Sequence, residues 1–380
     1  MQGSARALRI PFRRHGDTLS PALRSPVAVL FSPLTVRTAA MRNRLWVAPM
    51  CQYSAQEGMP GEWHHVHLAQ FASGGAGLVM AEATAVSPEG RISPQDTGIW
   101  DDAQRDAWAP IAAAIRVRGA EAGIQLAHAG RKASTWSPFS GHRGSVPMEE
   151  GGWETLAPSG IAYDGFAAPR EMNHDDIDAV VRDFAAASRR AVQAGFGVLE
   201  VHAAHGYLLH QFLSPLSNLR SDEYGGPLSG RARLLLRVVE AVRDEAPDAA
   251  LFVRFSASDW ADGGWDVEDT VQVATWAAQR GADLFDISSG GLVEHQSITL
   301  GPGYQVPFAR RVRDAGLPVS AVGLIDTGTH AEQVLVDGDA DAVMSGREWL
   351  RDPHFALRAA GELGVSDAPW PPQYARARRR

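Results

Sequence analysis

Three polar rings stand close together in the segment LEVHAAHGYLLHQFL, residues 199–213: His202, His205 and Tyr207. The apolar run before them is typical of a strand, and the glycine beside His205 indicates that the strand gives way to a loop. Neutral imidazoles bind metal ions, so the two histidines could form a metal site. They could instead donate two N–H groups to one substrate oxygen, with the Tyr207 phenol as a proton donor. A satisfied polar cluster in the core is the third possibility.

The elements that carry these rings follow a strand-then-helix rhythm that begins after residue 28. Eight such units predict an α/β fold, a (β/α)8 TIM barrel. The clearest helix is predicted over residues 174–194, capped by Asn173 and closed by Gly195. The predicted strands are residues 45–50, 77–84, 123–129, 197–203, 251–257, 283–289, 318–324 and 341–346.

Two segments depart from this rhythm. Residues 132–172 form a long insertion, rich in Gly, Pro and Trp, after the third strand, and a loop of that length is usually functional. The closing PWPPQYARARRR has too many prolines for a regular helix, which predicts an extended arm. We therefore predict a disordered extension over residues 1–28, a single barrel domain over residues 29–365 and a C-terminal arm over residues 366–380.

Chemistry in such barrels gathers at the carboxyl ends of the strands, and the unusual residues of this chain are predicted to lie there. Because they lie in or directly after seven different strands, they indicate a single site. They are Cys51, Gln125, His202, Arg254, the run Ser288-Ser289-Gly290-Gly291, Gly323, and Gly346 with Arg347.

Arg254 lies in the strand-like LFVRFSA, where alternation places it on the same face as Phe252. If that face is the barrel interior, the buried guanidinium needs an anion. An inward carboxylate such as Glu200 is one candidate, and a negatively charged ligand is the other.

Glycines end the last two predicted strands, and Arg347 follows the second of them. Barrels commonly hold a phosphate at this place, although glycines also occur in ordinary barrel turns. No GxGxxG motif follows a strand, which favours a mononucleotide over a dinucleotide bound on a Rossmann fold.

Composition narrows the function classes further. The formal net charge is −8 although both ends are basic, which argues against binding to a nucleic-acid backbone. Cys51 is the only cysteine, so a disulfide within the chain, a cysteine-based zinc site and an iron–sulfur cluster are excluded. No apolar run approaches about 18 residues, so we expect no membrane span and a cytoplasmic enzyme. Lys132 is the only lysine.

Several stretches together resemble the old yellow enzyme family of FMN-dependent ene-reductases, and most closely its thermophilic-like class, which includes the xenobiotic reductases. They include LWVAPMCQYS, GIQLAHAGRKAS, LFVRFSASD, SGREWLRDP and, most specifically, HAAHGYLLHQFLSP. The likeness covers about Leu30 to Tyr374. It implies a barrel with non-covalent FMN that NADPH or NADH reduces. A ping-pong hydride transfer would then reduce the C=C bond of an α,β-unsaturated carbonyl or nitro compound.

The resemblance also implies roles for single residues. His202 and His205 would bind the substrate oxygen, Tyr207 would protonate the α-carbon, and Tyr53 would be a further hydrogen-bond donor. Arg376 of the arm would enter a neighbouring subunit's site, which implies a homodimer or homotetramer. The residues implied to bind the cofactor are Ala48, Pro49, Met50, Cys51, Ala83, Gln125, His202, Arg254, Ser289, Gly290, Gly323, Gly346 and Arg347.

Two alternative functions compete with this interpretation. A metal-dependent barrel hydrolase built on His202 and His205 would bind zinc or manganese. A non-catalytic FMN-binding protein would take up flavin without reducing alkenes.

Overall fold

The computed structural model of the chain describes residues 28–378. The predicted extension over residues 1–28 therefore lies, apart from Ala28, outside the described residues. No helix of the described part is long and apolar enough to cross a bilayer.

Eight parallel strands close into a barrel in chain order, which confirms the predicted fold class. Each predicted strand is present, with its ends shifted by a few residues. The strands are β1 (Leu45–Val47), β2 (Leu78–Ala85), β3 (Glu121–Ala127), β4 (Val198–Ala203), β5 (Ala250–Ser256), β6 (Leu284–Ser288), β7 (Val319–Ala321) and β8 (Ala342–Ser345).

Helices alternate with the strands and cover the barrel. The helix predicted over residues 174–194 has those bounds, because the Asn173 side chain accepts a hydrogen bond from the Asp176 N–H and Gly195 closes it at φ +97°. The main helices are α1 (Glu62–Ser73), α2 (Asp102–Arg116), α3 (His174–Ala194), α4 (Arg233–Glu245), α5 (Val267–Gln279), α6 (Val306–Arg313), α7 (Gly328–Val336) and α8 (Phe355–Glu362). Shorter helices span Leu208–Leu213, Leu228–Arg231 and Arg347–Arg351.

Large apolar side chains fill the barrel interior near the amino ends of the strands. Trp46, Phe252 and Met344 are buried there in one cluster, and the rings of Trp46 and Phe252 stack with their centroids 5.8 Å apart. A hairpin of two short strands, Leu34–Val36 and Ala39–Met41, packs its buried residues against this cluster.

The hairpin covers the amino ends of the strands. At its turn, the Arg37 guanidinium pairs with Asp283, which precedes β6, at 2.7 Å. The Thr38 hydroxyl donates to the carbonyl of Asp248, which precedes β5, at 2.8 Å. The amino end is closed, so a ligand has to enter at the carboxyl end.

The insertion over residues 132–172 is present and has little regular structure of its own: a 3₁₀ turn at Met148–Glu150 and a pair of two-residue strands, Leu156–Ala157 and Arg170–Glu171. The C-terminal arm differs from the predicted extended form, because Pro372–Ala377 is a 3₁₀ helix. Proline is compatible with the first position of a helix, where its missing N–H has no partner to lose.

Candidate active site

A cavity of about 350 Å³ opens at the carboxyl ends of the strands. Seven of the residues predicted to bind the cofactor line it, and they come from both sides of the barrel. These seven are Ala48, Pro49, Met50, Arg254, Gly323, Gly346 and Arg347. The glycines keep the cavity wide because they have no side chain. A Cβ on Gly346, for example, would lie 3.3 Å from the Met50 sulfur.

Arg254 points into the barrel and pairs with an inward carboxylate, but this carboxylate is Asp286 and not the candidate Glu200. Its Nε lies 2.9 Å from Oδ2 of Asp286, and both side chains are buried. The parallel register explains the choice: Arg254 lies directly opposite Asp286 on β6, whereas Glu200 lies opposite Phe252. Glu200 is instead bound by Gln125, whose Nε2 donates to its Oε1 at 2.7 Å.

Arg254, Asp286 and Glu200 form a buried cluster with two acidic side chains and one cation. Burial first, and then the Asp286 carboxylate, raise the pKa of Glu200. The pKa of Asp286 is itself raised by burial, against the pull of the Arg254 guanidinium. Two buried acids therefore share one cation, and the raised pKa of Glu200 favours its neutral form.

The cationic nitrogens that line the cavity and have no partner among the described residues show whether FMN would fit the site. The two terminal nitrogens of Arg254 form no hydrogen bond with any described residue, and Arg254 lines the cavity. Arg347 also lines it and forms no ion pair in the described chain. One cation thus faces the middle of the barrel and another its β7–β8 side, which suits a ligand with a polar ring and a phosphate.

The three rings from the β4 segment lie together beside this cavity. The His202 ring centroid is 5.2 Å from that of His205 and 5.0 Å from that of Tyr207, in edge-to-face geometry. His202 lies opposite Arg254 in the strand register, and His205 Nε2 is 2.8 Å from Oγ of Ser288, which lines the cavity. The rings and the cavity form one site.

The environment keeps all three rings uncharged. Burial first, and then the Arg254 cation, lower the pKa of His202 and of His205 well below the usual histidine range. Burial raises the pKa of the Tyr207 phenol well above its usual value. Two neutral imidazoles beside a protonated phenol can donate hydrogen bonds and a proton.

The geometry disfavours the metal interpretation of the two histidines. In the described chain, the groups of three His, Cys, Asp or Glu side chains close enough to share an ion include neither His202 nor His205. His205 Nε2 is engaged with Ser288, and His202 Nδ1 accepts from the Ala204 N–H at 3.3 Å.

Cys51 and Tyr53 follow β1 at the same end of the barrel. Burial and the carboxylates of Asp96 and Glu82 raise the pKa of the Cys51 thiol, so it is a neutral thiol at neutral pH. Tyr53 adopts a left-handed φ of +52°, and its ring meets Phe139 of the insertion edge-on at 5.9 Å. Phe139 is mostly exposed, so the insertion brings an aromatic side chain to Tyr53.

Asp96→Asn is expected to remove a pH dependence of stability. Burial and the Glu82 carboxylate raise the pKa of Asp96 to about 7, so folded protein holds a proton that the unfolded chain releases near pH 4. The free energy of unfolding should fall from pH 4 to 7, by at most about 4 kcal/mol, and asparagine cannot titrate. Urea unfolding at pH 5 and 8 measures this, with the exposed Asp106→Asn as control. A fall as steep in Asp96→Asn as in wild type would contradict the assignment.

Other predicted residues lie outside the cavity lining. Ala83 pairs in register with Gln125 on the neighbouring strand. The Ser289 hydroxyl donates to Gln305 at 2.6 Å, and the Gly290 carbonyl accepts from Ser256. Arg376 is exposed on the 3₁₀ helix of the arm. The arm packs near Arg42 and Arg118, away from the cavity of its own chain.

Sequence reasoning missed three residues of the site. Asp286 and Gln305 carried no motif, although the alternation of the β6 run DLFDISS already placed Asp286 on one face with Ser288. Ser288 was predicted among the residues at the strand ends, but without a role. Lys132 stood out as the only lysine, but nothing local to it indicated a contact with the site.

Comparison with known proteins places this site in a family. The sequence model of the NADH:flavin oxidoreductase / NADH oxidase family matches residues 29–365. The chain belongs to this family. The resemblance to the old yellow enzymes is thereby confirmed, as are FMN and a reduced nicotinamide as cofactors.

Relatives and solved structures of the flavin oxidoreductase family agree over most of the chain. An NADPH dehydrogenase of Bacillus velezensis is 46% identical over 92% of this chain and 98% of its own length. An NADPH dehydrogenase of Bacillus subtilis is 44% identical over 91% of this chain and 98% of its own length. The structure of morphinone reductase superposes with a TM-score of 0.74 at 29% identity, covering 89% of this chain and 90% of that one. The structure of an old yellow enzyme homologue from Zymomonas mobilis superposes with a TM-score of 0.73 at 29% identity, covering 90% of this chain and 97% of that one.

Membership of the family makes the chain an enzyme, a flavin-dependent oxidoreductase. A flavoprotein that only stores FMN and a metal-dependent hydrolase are therefore not favoured.

Proposed function

We propose that the protein is an NADPH-dependent ene-reductase that reduces the C=C bond of α,β-unsaturated carbonyl or nitro compounds. The observation that carries the proposal is a cluster of three uncharged rings beside the cavity, in which the His202 imidazole contacts both the His205 imidazole and the protonated Tyr207 phenol. When bound, FMN supplies hydride chemistry, with NADPH as the source of the hydride. NADPH is preferred to NADH in this proposal because the curated relatives reported above are NADPH dehydrogenases.

The imidazoles of His202 and His205 bind the substrate oxygen. Hydrogen bonds from two N–H groups stabilise the negative charge that grows on this oxygen when a hydride reaches the β-carbon. Because both pKa values are lowered, the rings remain neutral donors over the physiological range. Ser288, 2.8 Å from His205 Nε2, fixes the orientation of that ring.

Tyr207 then delivers the proton. Its phenol keeps its hydrogen at neutral pH and lies against the His202 ring, so a substrate whose carbonyl is bound by His202 would have its α-carbon near this proton. Tyr53, with Phe139 beside it, adds a hydrogen-bond donor and an apolar wall for the alkene.

The residues that would hold FMN place a cation at each end of the cavity. Arg254 and Gln125 would bind the polar edge of the flavin ring, and Ala48, Pro49, Met50, Cys51 and Ala83 would pack along the ring. Gly323, Gly346 and Arg347 would bind the phosphate, with Ser289 and Gly290 supporting the adjoining loop through Gln305 and Ser256.

Arg347→Ala is expected to weaken FMN binding by about 10- to 100-fold, because charge-assisted hydrogen bonds to a phosphate are strong. Arg351 is the matched control, since it lines the same cavity but is paired with Glu348 at 2.7 Å. Arg351→Ala should bind FMN within about twofold of wild type. Fluorescence titration of the apoprotein with FMN measures both dissociation constants. Equal losses in the two variants would contradict the role of Arg347.

A spectroscopic experiment tests the proposed function as a whole. Purified protein loaded with FMN is treated with NADPH without oxygen and then with 2-cyclohexenone. Bleaching of the flavin absorbance by NADPH, followed by its return with the enone, is expected. Bleaching without return would overturn the ene-reductase proposal while leaving the oxidoreductase assignment intact.

Several predictions about partners accompany this proposal. Arg376 is proposed to enter the site of a neighbouring subunit in a homodimer or homotetramer. The substrates are small activated alkenes, with neither nucleic acid nor membrane as a partner, and the reaction takes place in the cytoplasm.

A further inference from the structure

Lys132 lies at the start of the insertion and joins three parts of the site. Its Nζ donates to the His205 carbonyl at 2.9 Å and to the Gly291 carbonyl at 2.8 Å. The first carbonyl follows β4 and the second follows β6, and the three positions are far apart in sequence. A single ammonium group therefore ties the loop that carries the catalytic rings to the neighbouring loop.

The same ammonium lies between two phenol rings. Its Nζ is 5.2 Å from the ring centroid of Tyr207 and 4.7 Å from that of Tyr163 in the insertion. The face of an aromatic ring carries negative potential, and that potential increases when a phenol loses its proton. A cation at this place is attracted more strongly to the phenolate of Tyr207 than to the phenol.

His205 needs the support that Lys132 gives. Its backbone has φ +57°, a left-handed conformation that a residue with a bulky side chain rarely adopts. The His205 N–H donates to Ser256 at 2.9 Å, and its carbonyl accepts from Lys132 at 2.9 Å. Both backbone groups of this strained residue are thereby fixed.

We propose that Lys132 is a positioning residue of the reaction: it holds the His205 loop in place and stabilises the phenolate that Tyr207 becomes as it protonates the substrate. The O–H bond of Tyr207 breaks, a C–H bond forms at the α-carbon, and the negative charge left on the phenolate oxygen faces the ammonium. Solvent then returns the proton. The proposal rests on the proposed ene-reductase function.

The charge on Lys132 depends on groups from each surrounding element. Burial and the adjacent Arg131 lower its pKa to about 8, and the Glu294 carboxylate after β6 opposes this shift. The remaining neighbours are the Tyr163 and Tyr207 phenols and His205, which are neutral at pH 7. Raising the pH through about 8 therefore removes the cation before either phenol ionises.

A double-mutant cycle tests the proposal in the FMN-loaded enzyme. Lys132→Met removes the charge at similar length, and Lys132→Arg retains it. Lys132→Met is expected to slow alkene reduction by about tenfold and to leave reduction of the flavin by NADPH unchanged. Lys132→Arg should recover most of the rate. In a Tyr207→Phe background, Lys132→Met should have a much smaller effect, because no phenolate forms and only the hold on the His205 loop is lost.

The pH profile supplies a readout that a purely structural role would not change. The rate of alkene reduction in wild type should fall above pH 8, and this fall should be absent in Lys132→Met. Tenfold losses in both backgrounds, or an unchanged pH profile, would overturn the stabilisation of the phenolate, because loss of the His205 loop contact alone slows both backgrounds equally. Wild-type protein that does not reduce 2-cyclohexenone would instead reject the proposed function.

The single lysine also allows a test that does not depend on activity or on the folding of a Lys132 variant. In protein labelled with isotopic lysine, one set of side-chain resonances reports on Lys132 alone. Ring currents should place its ε-methylene protons upfield of free lysine, and Tyr207→Leu should move them downfield. An ε-methylene shift that is the same in wild type and Tyr207→Leu would show that the ammonium does not lie on the Tyr207 ring.

Discussion

Tyr207→Phe is expected to slow alkene reduction by about 10²–10⁴-fold, the usual contribution of a positioned general acid. Phenylalanine keeps the edge-to-face contact with His202, whose ring centroid lies 5.0 Å away, but has no proton to give. Reduction of the flavin by NADPH requires no proton from Tyr207, so that rate should stay within about twofold of wild type. Anaerobic stopped-flow absorbance measures the two half-reactions separately.

Tyr163 provides the matched control for this experiment. Its phenol also faces Lys132, at 4.7 Å, but its ring is not in contact with His202. Tyr163→Phe should leave both half-reactions near their wild-type rates. If Tyr207→Phe slowed the two half-reactions equally, Tyr207 would be a structural residue and another proton donor would be required.

Arg254→Met is expected to lower the free energy of unfolding strongly and to abolish tight FMN binding. It leaves the buried Asp286 carboxylate without its cation, and breaking a buried pair in this way typically costs about 3–5 kcal/mol. It also removes the two terminal nitrogens that have no partner among residues 28–378. Urea unfolding measures the free energy of unfolding, and titration of apoprotein with FMN measures the affinity.

A second variant separates the two effects of Arg254. Arg254→Met combined with Asp286→Asn removes both charges of the pair, so most of the lost free energy of unfolding should return. FMN affinity should not return, because the cation that faces the flavin is still missing. A double variant that binds FMN as tightly as wild type would mean that Arg254 serves only Asp286.

The sequence was sufficient for the barrel because each strand is a local pattern. Runs such as 251–257 are apolar, short and bounded by turn residues, so their existence depends on neighbouring residues alone. The bounds of α3 were correct for the same reason, since Asn173 and Gly195 act on the adjacent turn. The arm was less predictable, because proline permits a helix that begins at Pro372.

Pairings between distant residues could not be read from local patterns. Alternation placed Arg254 inside the barrel, but the choice of Asp286 over Glu200 depends on the register of β5 with β6, to which no single segment points. Lys132 meets Gly291 across 159 positions of sequence, and its contact with the Tyr207 ring exists only in the folded barrel. The candidate residues were therefore predictable from the sequence, but the network that links them was not.

The hairpin at residues 34–41 affects the order of events in the catalytic cycle. Because it closes the amino end over the stacked Trp46 and Phe252, the part of the chain that the structure describes leaves no second passage along the barrel axis. In the proposed reaction, the nicotinamide and the alkene must therefore use the same mouth in turn. An excess of the nicotinamide should therefore inhibit binding of the alkene, and an excess of the alkene should inhibit binding of the nicotinamide. The oxidised nicotinamide has to dissociate before the alkene can bind.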